Sequence, residues 1–351
     1  MKRENNYNLL GHNTFDIEAR CRDYMEYESA SEAADISEAL QAYPRPRLVV
    51  GGGSNLLLTH DFDGAVISPA PRFDVEVSGE EGGKALVRCW SGTTFDDLVD
   101  WTVGHGYHGL ENLSGIPGQV GASAVQNIGA YGVEAGEFIE SVEAVELSSE
   151  ARLVTIPQSE CHYGYRQSRF KNEWKGKYLI THVTYQLSRT FRPRLDYGNI
   201  RQALAEKLGT DMEAMETSVT PRMLRDTILE IRNAKLPDPK EYGNAGSFFM
   251  NPVVDEKKFN ELKNRFPDLR YYPVESDNGM KKYKIPAGWM IDRCGWKGKT
   301  LGRAGVWPKQ ALVLYNTGGA TGAEVLALCK AIQHDVRLTF GIDIYPEVNI
   351  C

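Results

Sequence analysis

The sequence predicts a mixed α/β enzyme of two or three domains, organised around glycine-rich ligand loops. Three observations lead there. The chain has 351 residues, more than one hydrophobic core usually serves. Strand candidates of period two alternate along it with amphipathic helix candidates. Residues 109–134 hold six glycines in 26 positions, with Glu111 and Glu134 their only charges. Glycine at that density rules out a good regular helix or strand, and the low charge argues against a solvated linker. What is left is backbone that turns repeatedly while buried or lying against a ligand. Glycine lets main-chain N–H groups approach closely and take positive φ, and successive N–H groups in turns make concave anion sites. A buried glycine-rich loop without a ligand is the alternative for this stretch alone.

The elements follow in order. Residues 29–40 read as a helix, with Ser29 and Glu32 as a capping box. A strand at 47–50 runs into Gly51, Gly52, Gly53, Ser54 and Asn55, then a second apolar run at 56–58. Strands follow at 64–67, 74–77 and 85–90, and a short helix at 93–103 with Thr93 as its cap. Beyond the central loop, 142–147 and 153–156 form a hairpin, and 178–187 alternates as a strand. The charged segment 189–219 marks a change of unit. Thr220 and Pro221 open a helix as cap and first helical residue, which ends near Lys235. A second glycine loop, 243–252, precedes an amphipathic helix at 255–266. Thr321 and Glu324 cap a helix whose apolar stripe is Val325, Leu328, Cys329, Ile332 and Val336. The chain ends in a period-two strand, 342–350, with Ile342, Ile344, Val348 and Ile350 on one face.

Composition narrows the class. Charged residues are 25% and hydrophobic ones 42%, ordinary for a soluble globular protein. A net charge of −7 speaks against general nucleic-acid binding, yet leaves room for a local basic pocket around one phosphorylated ligand. The six cysteines form no CxxC pair, so no zinc ribbon, redox dithiol or other metal site is expected. There is no signal-like N-terminus and no apolar run near the ~20 residues of a membrane span. A cytoplasmic protein is expected. Two phosphate motifs come close and fail. GxGxxG after the 47–50 strand would need glycine where Leu56 stands, and the P-loop ending at Lys299-Thr300 would need it where Arg293 stands.

Three polar stretches from distant parts of the chain are candidates to converge: Tyr165-Arg166, Gly246-Ser247 and Glu347. Each has an ordinary structural role available to it. Arg166 is one of 40 basic residues, a serine after glycine is commonly a turn residue, and Glu347 lies on the polar face of its strand.

Several blocks, in this order, resemble the UDP-N-acetylenolpyruvoylglucosamine reductase (MurB) family. They are Ile116-Pro117-Gly118, Gln126-Asn127-Ile128-Gly129-Ala130-Tyr131-Gly132, Tyr165-Arg166 with Phe170-Lys171, Lys235-Leu236-Pro237, residues 243–252, and Pro346-Glu347-Val348. The likeness runs from about residue 12 to the end, and Asp196-Tyr197-Gly198 is similar to the type I form. The resemblance implies an α+β flavoenzyme. Its two-lobe FAD-binding domain would be of the vanillyl-alcohol-oxidase (PCMH) type, with a smaller α/β substrate-binding domain. The implied boundaries are 1–72 with 331–351 for one lobe, 73–219 for the other, and 220–330 for the substrate domain. NADPH would reduce FAD, and reduced FAD would reduce the enolpyruvyl group of UDP-N-acetylglucosamine enolpyruvate.

By the same resemblance, FAD would be held by Gly51, Gly52, Gly53, Ser54, Asn55, Ile116, Gly118, Gln126, Asn127, Gly129, Ala130, Tyr131, Gly132 and Arg232. Arg166 would stabilise the aci-carboxylate, the planar guanidinium suiting a carboxylate better than lysine. Ser247 would protonate C2, and Glu347 would assist the charge rearrangement. Tyr197, Lys235 and Asn251 would bind the diphosphate, with Tyr165 nearby, and Tyr272, Lys297 and Gln310 are further ligand candidates. A monomer is expected, without nucleic-acid or membrane partners. Two departures stand out. Ala124 replaces a usual proline, which bears on loop rigidity, and Asn349 stands where many members have arginine. The rivals are another FAD-dependent oxidase of the same fold, against which the QNIGAYG and GSFF blocks argue, and a non-catalytic UDP-sugar-binding protein, which would lack flavin.

Overall fold

The computed structural model describes residues 1–42, 46–209, 211–274 and 280–351, leaving aside the side chains of 212–214. They form two compact units, one of 1–7, 21–53 and 63–234, the other of 8–20, 54–62 and 235–351.

Two sheets organise the first unit. One runs in the order Lys2–Asn8, Arg20–Tyr27, Phe62–Pro69, Arg47–Val49, its last pair parallel. Helix Ala30–Ala42 buries Ala33, Ile36 and Leu40 in a core with Met25, Tyr27, Ile67 and Trp90. Ser29 caps it, accepting the Glu32 N–H at 3.1 Å. The expected box is not reciprocal: the Glu32 carboxylate accepts from the Glu28 N–H instead, at 2.8 Å.

The other sheet is antiparallel, in the order Leu153–Pro157, Ile139–Glu146, Tyr178–Ser188, Lys84–Trp90, Val75–Glu81. The expected hairpin is its edge, with Val142 opposite Ile156 and Val145 opposite Leu153. Alternation sends Val87, Cys89, Val142, Ala144 and Val183 into the core. Arg88, Glu143 and His182 take the other face, where Arg88 forks onto Glu143 at 2.5 and 2.8 Å. Helix Phe95–His105 adds Phe95, Leu98 and Val99 to that core. Its cap position is Thr94, not Thr93. The Thr93 hydroxyl instead donates to the Arg72 carbonyl and accepts from the Asp74 N–H, so tertiary bonds claimed the earlier of two adjacent threonines.

The glycine-rich stretch corrects an expectation. It contains a regular helix, Val120–Gln126. Intrinsic propensity disfavours one there, and packing overrides it. Gly121 backs onto Ser91 so closely that an added Cβ would lie 2.9 Å from the serine Cβ. Only small side chains permit that approach, and Val120 and Ala124 are wholly buried. Three further helices, Ile200–Leu208, Met212–Ser218 and Pro221–Lys235, share a core of Leu204, Met215, Leu224 and Ile228. After its excursions at 8–20 and 54–62, the chain leaves this unit for the last time after residue 234.

The second unit has a four-stranded sheet, Asn244–Ser247, Val313–Asn316, Ala304–Val306, Thr300–Leu301, and a three-stranded one, Val253–Asp255, Lys282–Lys284, Tyr272–Val274. Helix Gly322–Phe340 lays the expected stripe of Val325, Leu328, Cys329, Ile332 and Val336 into the core, and its capping box from Thr321 and Glu324 is complete. Asp255 caps helix Glu256–Arg265. The expected terminal strand shrinks to Asn349–Ile350, parallel to Leu56–Leu57. Ile342, Ile344 and Val348 are buried as the alternation required, but Ile350 is exposed. Pro346 has no N–H to give a ladder, and residues 345–347 pair with the short run 248–250.

Candidate active site

In the first unit the candidates gather on the central loop. Gly164 and Gln167 exchange backbone hydrogen bonds at 3.1 and 2.9 Å, leaving Tyr165 and Arg166 at the tip of a tight turn. Arg166 has a φ of 56°, a left-handed conformation that costs an L residue roughly 1–2 kcal/mol. Such strain persists where surrounding bonds over-determine it. Here the guanidinium donates to the Gly129 carbonyl at 2.5 Å and to that of Asn127 at 3.4 Å, while Lys171 Nζ donates to the Arg166 carbonyl at 3.0 Å. The Tyr165 ring, exposed, lies 5.3 Å from the guanidinium.

Asn127 binds this turn to the loop. It ends helix Val120–Gln126 in the left-handed conformation. Its amide donates to Glu134 at 2.7 Å and to the Gly164 carbonyl at 2.8 Å, and its Oδ1 accepts the Gly136 N–H at 2.8 Å. Tyr131 meets Tyr197 edge-on at 6.4 Å, and Gly132 backs onto the same Tyr197 side chain. Arg232 lies beside Tyr131. Burial raises the Tyr131 phenol and lowers the Arg232 guanidinium, and their mutual attraction opposes both shifts. Gly115 leaves room for Arg232: an added Cβ would come within 3.0 Å of its Nε.

The two glycine loops touch. A Cβ on Gly51 would reach 3.0 Å from Gln119 Oε1, and one on Gly52 would reach 3.6 Å from the Gly118 Cα. Gln119 Oε1 is buried without a hydrogen-bond partner among the described residues. Ile116 packs on the neighbouring core, and the Gly118 carbonyl accepts the Phe95 N–H at 2.9 Å. The two loops approach this closely because glycine stands at 51 and 52, and the orphaned Gln119 Oε1 at their contact fits a ligand that brings its own donor.

In the second unit Ser247 and Glu347 stand on paired segments. The Glu347 N–H donates to the Phe248 carbonyl at 2.8 Å, and the Met250 N–H to that of Tyr345 at 2.9 Å. Ser247 is exposed and Glu347 half-buried. Asn55 joins them, its amide donating to the Glu347 carbonyl at 3.4 Å and its carbonyl accepting both the backbone and the side-chain N–H of Asn349. Ser54 precedes it in the same unit. Asn251 and Gln310 lie elsewhere, each beside the start of helix Ala287–Arg293. Asn251 Oδ1 accepts the Ala287 N–H at 2.8 Å, and Gln310 Oε1 lies 3.3 Å from where a Gly288 Cβ would be. Lys297 pairs with Asp292 near the other end of that helix, about 7 Å along it at 1.5 Å per residue. Tyr272 is an exposed strand residue opposite Lys284. Lys235 is exposed, and its carbonyl accepts the Trp307 indole N–H at 3.0 Å.

Sequence reasoning missed Asp96. Its carboxylate holds the Gly115 N–H at 2.6 Å and forks onto the buried Arg225, tying the central loop to helix Pro221–Lys235. An acidic residue in a first helical turn is too common a signal to single it out. Among the described residues no group of three or more His, Cys, Asp or Glu could hold a metal ion, and no helix is long and apolar enough to cross a membrane.

Known proteins share this organisation. Residues 24–154 match a family model described as an FAD binding domain. Residues 238–351 match the C-terminal domain of UDP-N-acetylenolpyruvoylglucosamine reductase. A reductase of that name from Bacteroides fragilis is 45% identical over 346 residues, 99% of either chain. One from Burkholderia ambifaria is 45% identical over 344 residues, 97% of this chain and 94% of the relative. The solved reductase from Thermus caldophilus superposes with a TM-score of 0.65 at 22% identity, covering 99% of this chain and 98% of that one, a likeness of fold.

Proposed function

The chain belongs to the UDP-N-acetylenolpyruvoylglucosamine reductase family, and from that premise we propose how its own residues carry the reaction. The reaction is the NADPH-dependent, FAD-mediated reduction of the enolpyruvyl group of UDP-N-acetylglucosamine enolpyruvate to UDP-N-acetylmuramate, a step of peptidoglycan precursor synthesis. FAD, when bound and reduced, would supply hydride chemistry to the enolpyruvyl double bond.

Backbone N–H groups of residues 51–55 and of the 116–132 stretch hold the cofactor, with Gln126, Asn127, Ala130 and Tyr131 shaping the loop and Arg232 beside it. The absent Cβ atoms at Gly51 and Gly52, and the unpartnered Gln119 Oε1 beside them, support that assignment. Arg166 offers a fixed cation to the substrate carboxylate as charge moves into it. Its clamp by two loop carbonyls means that little reorganisation is needed, and preorganised charge of this kind commonly contributes about 3–4 kcal/mol to a barrier. Ser247 gives its hydroxyl proton to C2 and recovers one from water. Glu347 assists that charge rearrangement. Tyr197, Lys235 and Asn251 bind the diphosphate; Tyr165, Tyr272, Lys297 and Gln310 complete the ligand contacts. The enzyme works as a cytoplasmic monomer.

The observation that carries the assignment is the pairing of 248–250 with 345–347, which ties the run directly after Ser247 to the segment bearing the Glu347 carboxylate. Ser247→Ala is the test. Anaerobic flavin reduction by NADPH should stay near the wild-type rate, while flavin reoxidation by the enolpyruvyl substrate should slow by orders of magnitude. Equal damage to both half-reactions would remove Ser247 from the role.

A further inference from the structure

The turn that carries Arg166 has a second cation beside it. Lys171 lies half-buried, one residue beyond Phe170. The Phe170 ring sits in the core of the first unit, against Trp174 and Tyr178 at 5.1 and 6.0 Å. Ser168 anchors the same segment. Its hydroxyl donates to the Val125 carbonyl at 2.6 Å and accepts the Lys171 N–H at 3.2 Å. Val125 belongs to helix Val120–Gln126, which ends at Asn127. The main chain beneath Lys171 is therefore fixed to the helix that leads into Asn127.

From that base the side chain reaches back along the sequence. Its Nζ donates to the Arg166 carbonyl at 3.0 Å. An ammonium on a carbonyl is a charge-assisted hydrogen bond, about twice as strong as a neutral one. The residue it grips is in an unusual place. Gly164 and Gln167 close a tight turn, and Arg166 fills its second central position at a φ of 56°. A positive φ at that position calls for glycine or asparagine.

Each part of the turn has its own holder. The Asn127 amide holds the Gly164 carbonyl at 2.8 Å. The Gly129 and Asn127 carbonyls hold the guanidinium at 2.5 and 3.4 Å. Lys171 holds the main chain of Arg166 itself. The carbonyl partners fix the tip of a long side chain, and Lys171 fixes the backbone from which it starts. Without that grip the strained residue can turn, and its tip must then swing with it or release the Gly129 carbonyl.

We propose that Lys171 is a positioning residue for the reduction of the substrate: its ammonium pins the Arg166 carbonyl and so keeps the Arg166 guanidinium where the substrate carboxylate gathers charge. The proposal rests on the reading of Arg166 as the cation for that carboxylate. It gives Lys171 no contact with substrate or flavin. A lysine that merely added its charge to the site would act whether or not Arg166 were present, and this separates the two roles.

The test uses the FAD-loaded enzyme under anaerobic conditions. Lys171→Met removes the ammonium and keeps an unbranched stem. A displacement of about 1 Å can cost 100-fold, so flavin reoxidation by the enolpyruvyl substrate should slow roughly 10- to 100-fold. In the steady state kcat and kcat/KM should fall together, because the lost interaction strengthens as charge moves. Flavin reduction by NADPH, and the flavin bound per chain, should stay within about twofold of wild type. Lys171→Arg, which restores a charged donor, should recover most of the rate. In an Arg166→Met background, Lys171→Met should slow reoxidation less than about threefold further, since coupled residues are not additive and no guanidinium is left to position. A full second loss there would overturn the proposal, because Lys171 would then act on the substrate by itself. So would equal slowing of both half-reactions, or reoxidation within about twofold of wild type in Lys171→Met. Should Lys171→Met not fold, Lys171→Gln, shorter and uncharged, is read in the same way. Arg166→Met alone reports on the underlying reading. Fast reoxidation in it refutes the role of Arg166, whereas a slow Arg166→Met beside a fast Lys171→Met refutes the role of Lys171 alone.

Discussion

Asp96 holds the central loop to its neighbouring helix, and its removal should be costly in a calculable way. Arg225 has a side chain only 7% exposed. It takes Asp96 in a fork at 2.6 and 3.0 Å and Asp100 through Nε alone at 3.0 Å. Breaking a buried pair by deleting one partner costs about 3–5 kcal/mol. Asp100 survives in Asp96→Ala, but it is half exposed and shared with Arg222, so the lower end, about 3 kcal/mol, applies. The Gly115 N–H loses its acceptor as well, and in a half-buried place that adds about 1 kcal/mol. Asp96→Ala should therefore destabilise the first unit by about 4 kcal/mol. Urea unfolding, followed by circular dichroism and tryptophan fluorescence, would report this as a lower midpoint at unchanged slope. A companion variant sharpens the argument. Asp96→Ala with Arg225→Met removes the stranded cation too, and apolar replacement of a buried pair is often close to neutral. The double variant should recover at least half of the single variant's loss. A single-variant loss under about 1 kcal/mol would refute the reasoning, and so would a double variant no more stable than the single one.

The other expectations are more local. Gly129→Ala would push its Cβ to 2.8 Å from Arg166 Nη1 and from the Val133 carbonyl. A guanidinium displaced by about 1 Å should slow the substrate half-reaction roughly 100-fold and spare flavin reduction by NADPH; stopped-flow traces with equal rates for both proteins would count against this. Gly51→Ala should lower bound flavin, read as the ratio of visible to protein absorbance, because its Cβ would meet Gln119 Oε1 at 3.0 Å; an unchanged ratio after gel filtration would exclude a tight cradle there. Glu324 is held down to about 2 by the Thr321 N–H and then by Arg303. A depressed carboxylate contributes stability above its ordinary value of 4.5, and loses it as pH falls toward 2. Glu324→Gln should therefore flatten the acid limb of the stability curve between those values, and an unaltered limb in thermal melts would contradict the linkage.

Local signals located elements where sequence and packing agree. Thr321, Glu324 and the stripe from Val325 to Val336 specify a helix that the fold keeps unchanged, and Thr220 with Pro221 does the same for the helix at Pro221–Lys235. Prediction failed where tertiary contact chose the outcome. Helix Val120–Gln126 is made of small residues because Ser91 lies against it, and residue 91 is invisible to any propensity read at 121. The last strand has the right alternation and the wrong length, since hydrogen-bonding partners, which alternation does not encode, define a strand. The site divides in the same way. Nothing in residue chemistry separated Arg166 from the other basic side chains, and its positive φ and its two carbonyl partners exist only in three dimensions. Family resemblance named it; the clamp gives the physical reason a guanidinium could work there.

The two departures from the family pattern can now be weighed by what the residues touch. Ala124 stands where a proline would have stiffened the loop. Here the stiffening comes from elsewhere: Ser123 Oγ bonds the Val120 carbonyl and the buried Tyr185 hydroxyl, both at 2.7 Å, and Asn127 makes three hydrogen bonds just beyond the helix. A proline lowers the entropy of the unfolded chain, whereas these bonds act on the folded one, so the loop can be fixed without it. Asn349 stands where many relatives carry arginine. Its amide donates to the Asn55 carbonyl at 3.2 Å, and the Asn55 amide reaches on to the Glu347 carbonyl. That chain of bonds fixes backbone, not charge. Any cation that an arginine at 349 would have offered a ligand must therefore come from another residue in this protein, or be dispensed with. The position's remaining duty is to hold the segment from which Glu347 projects.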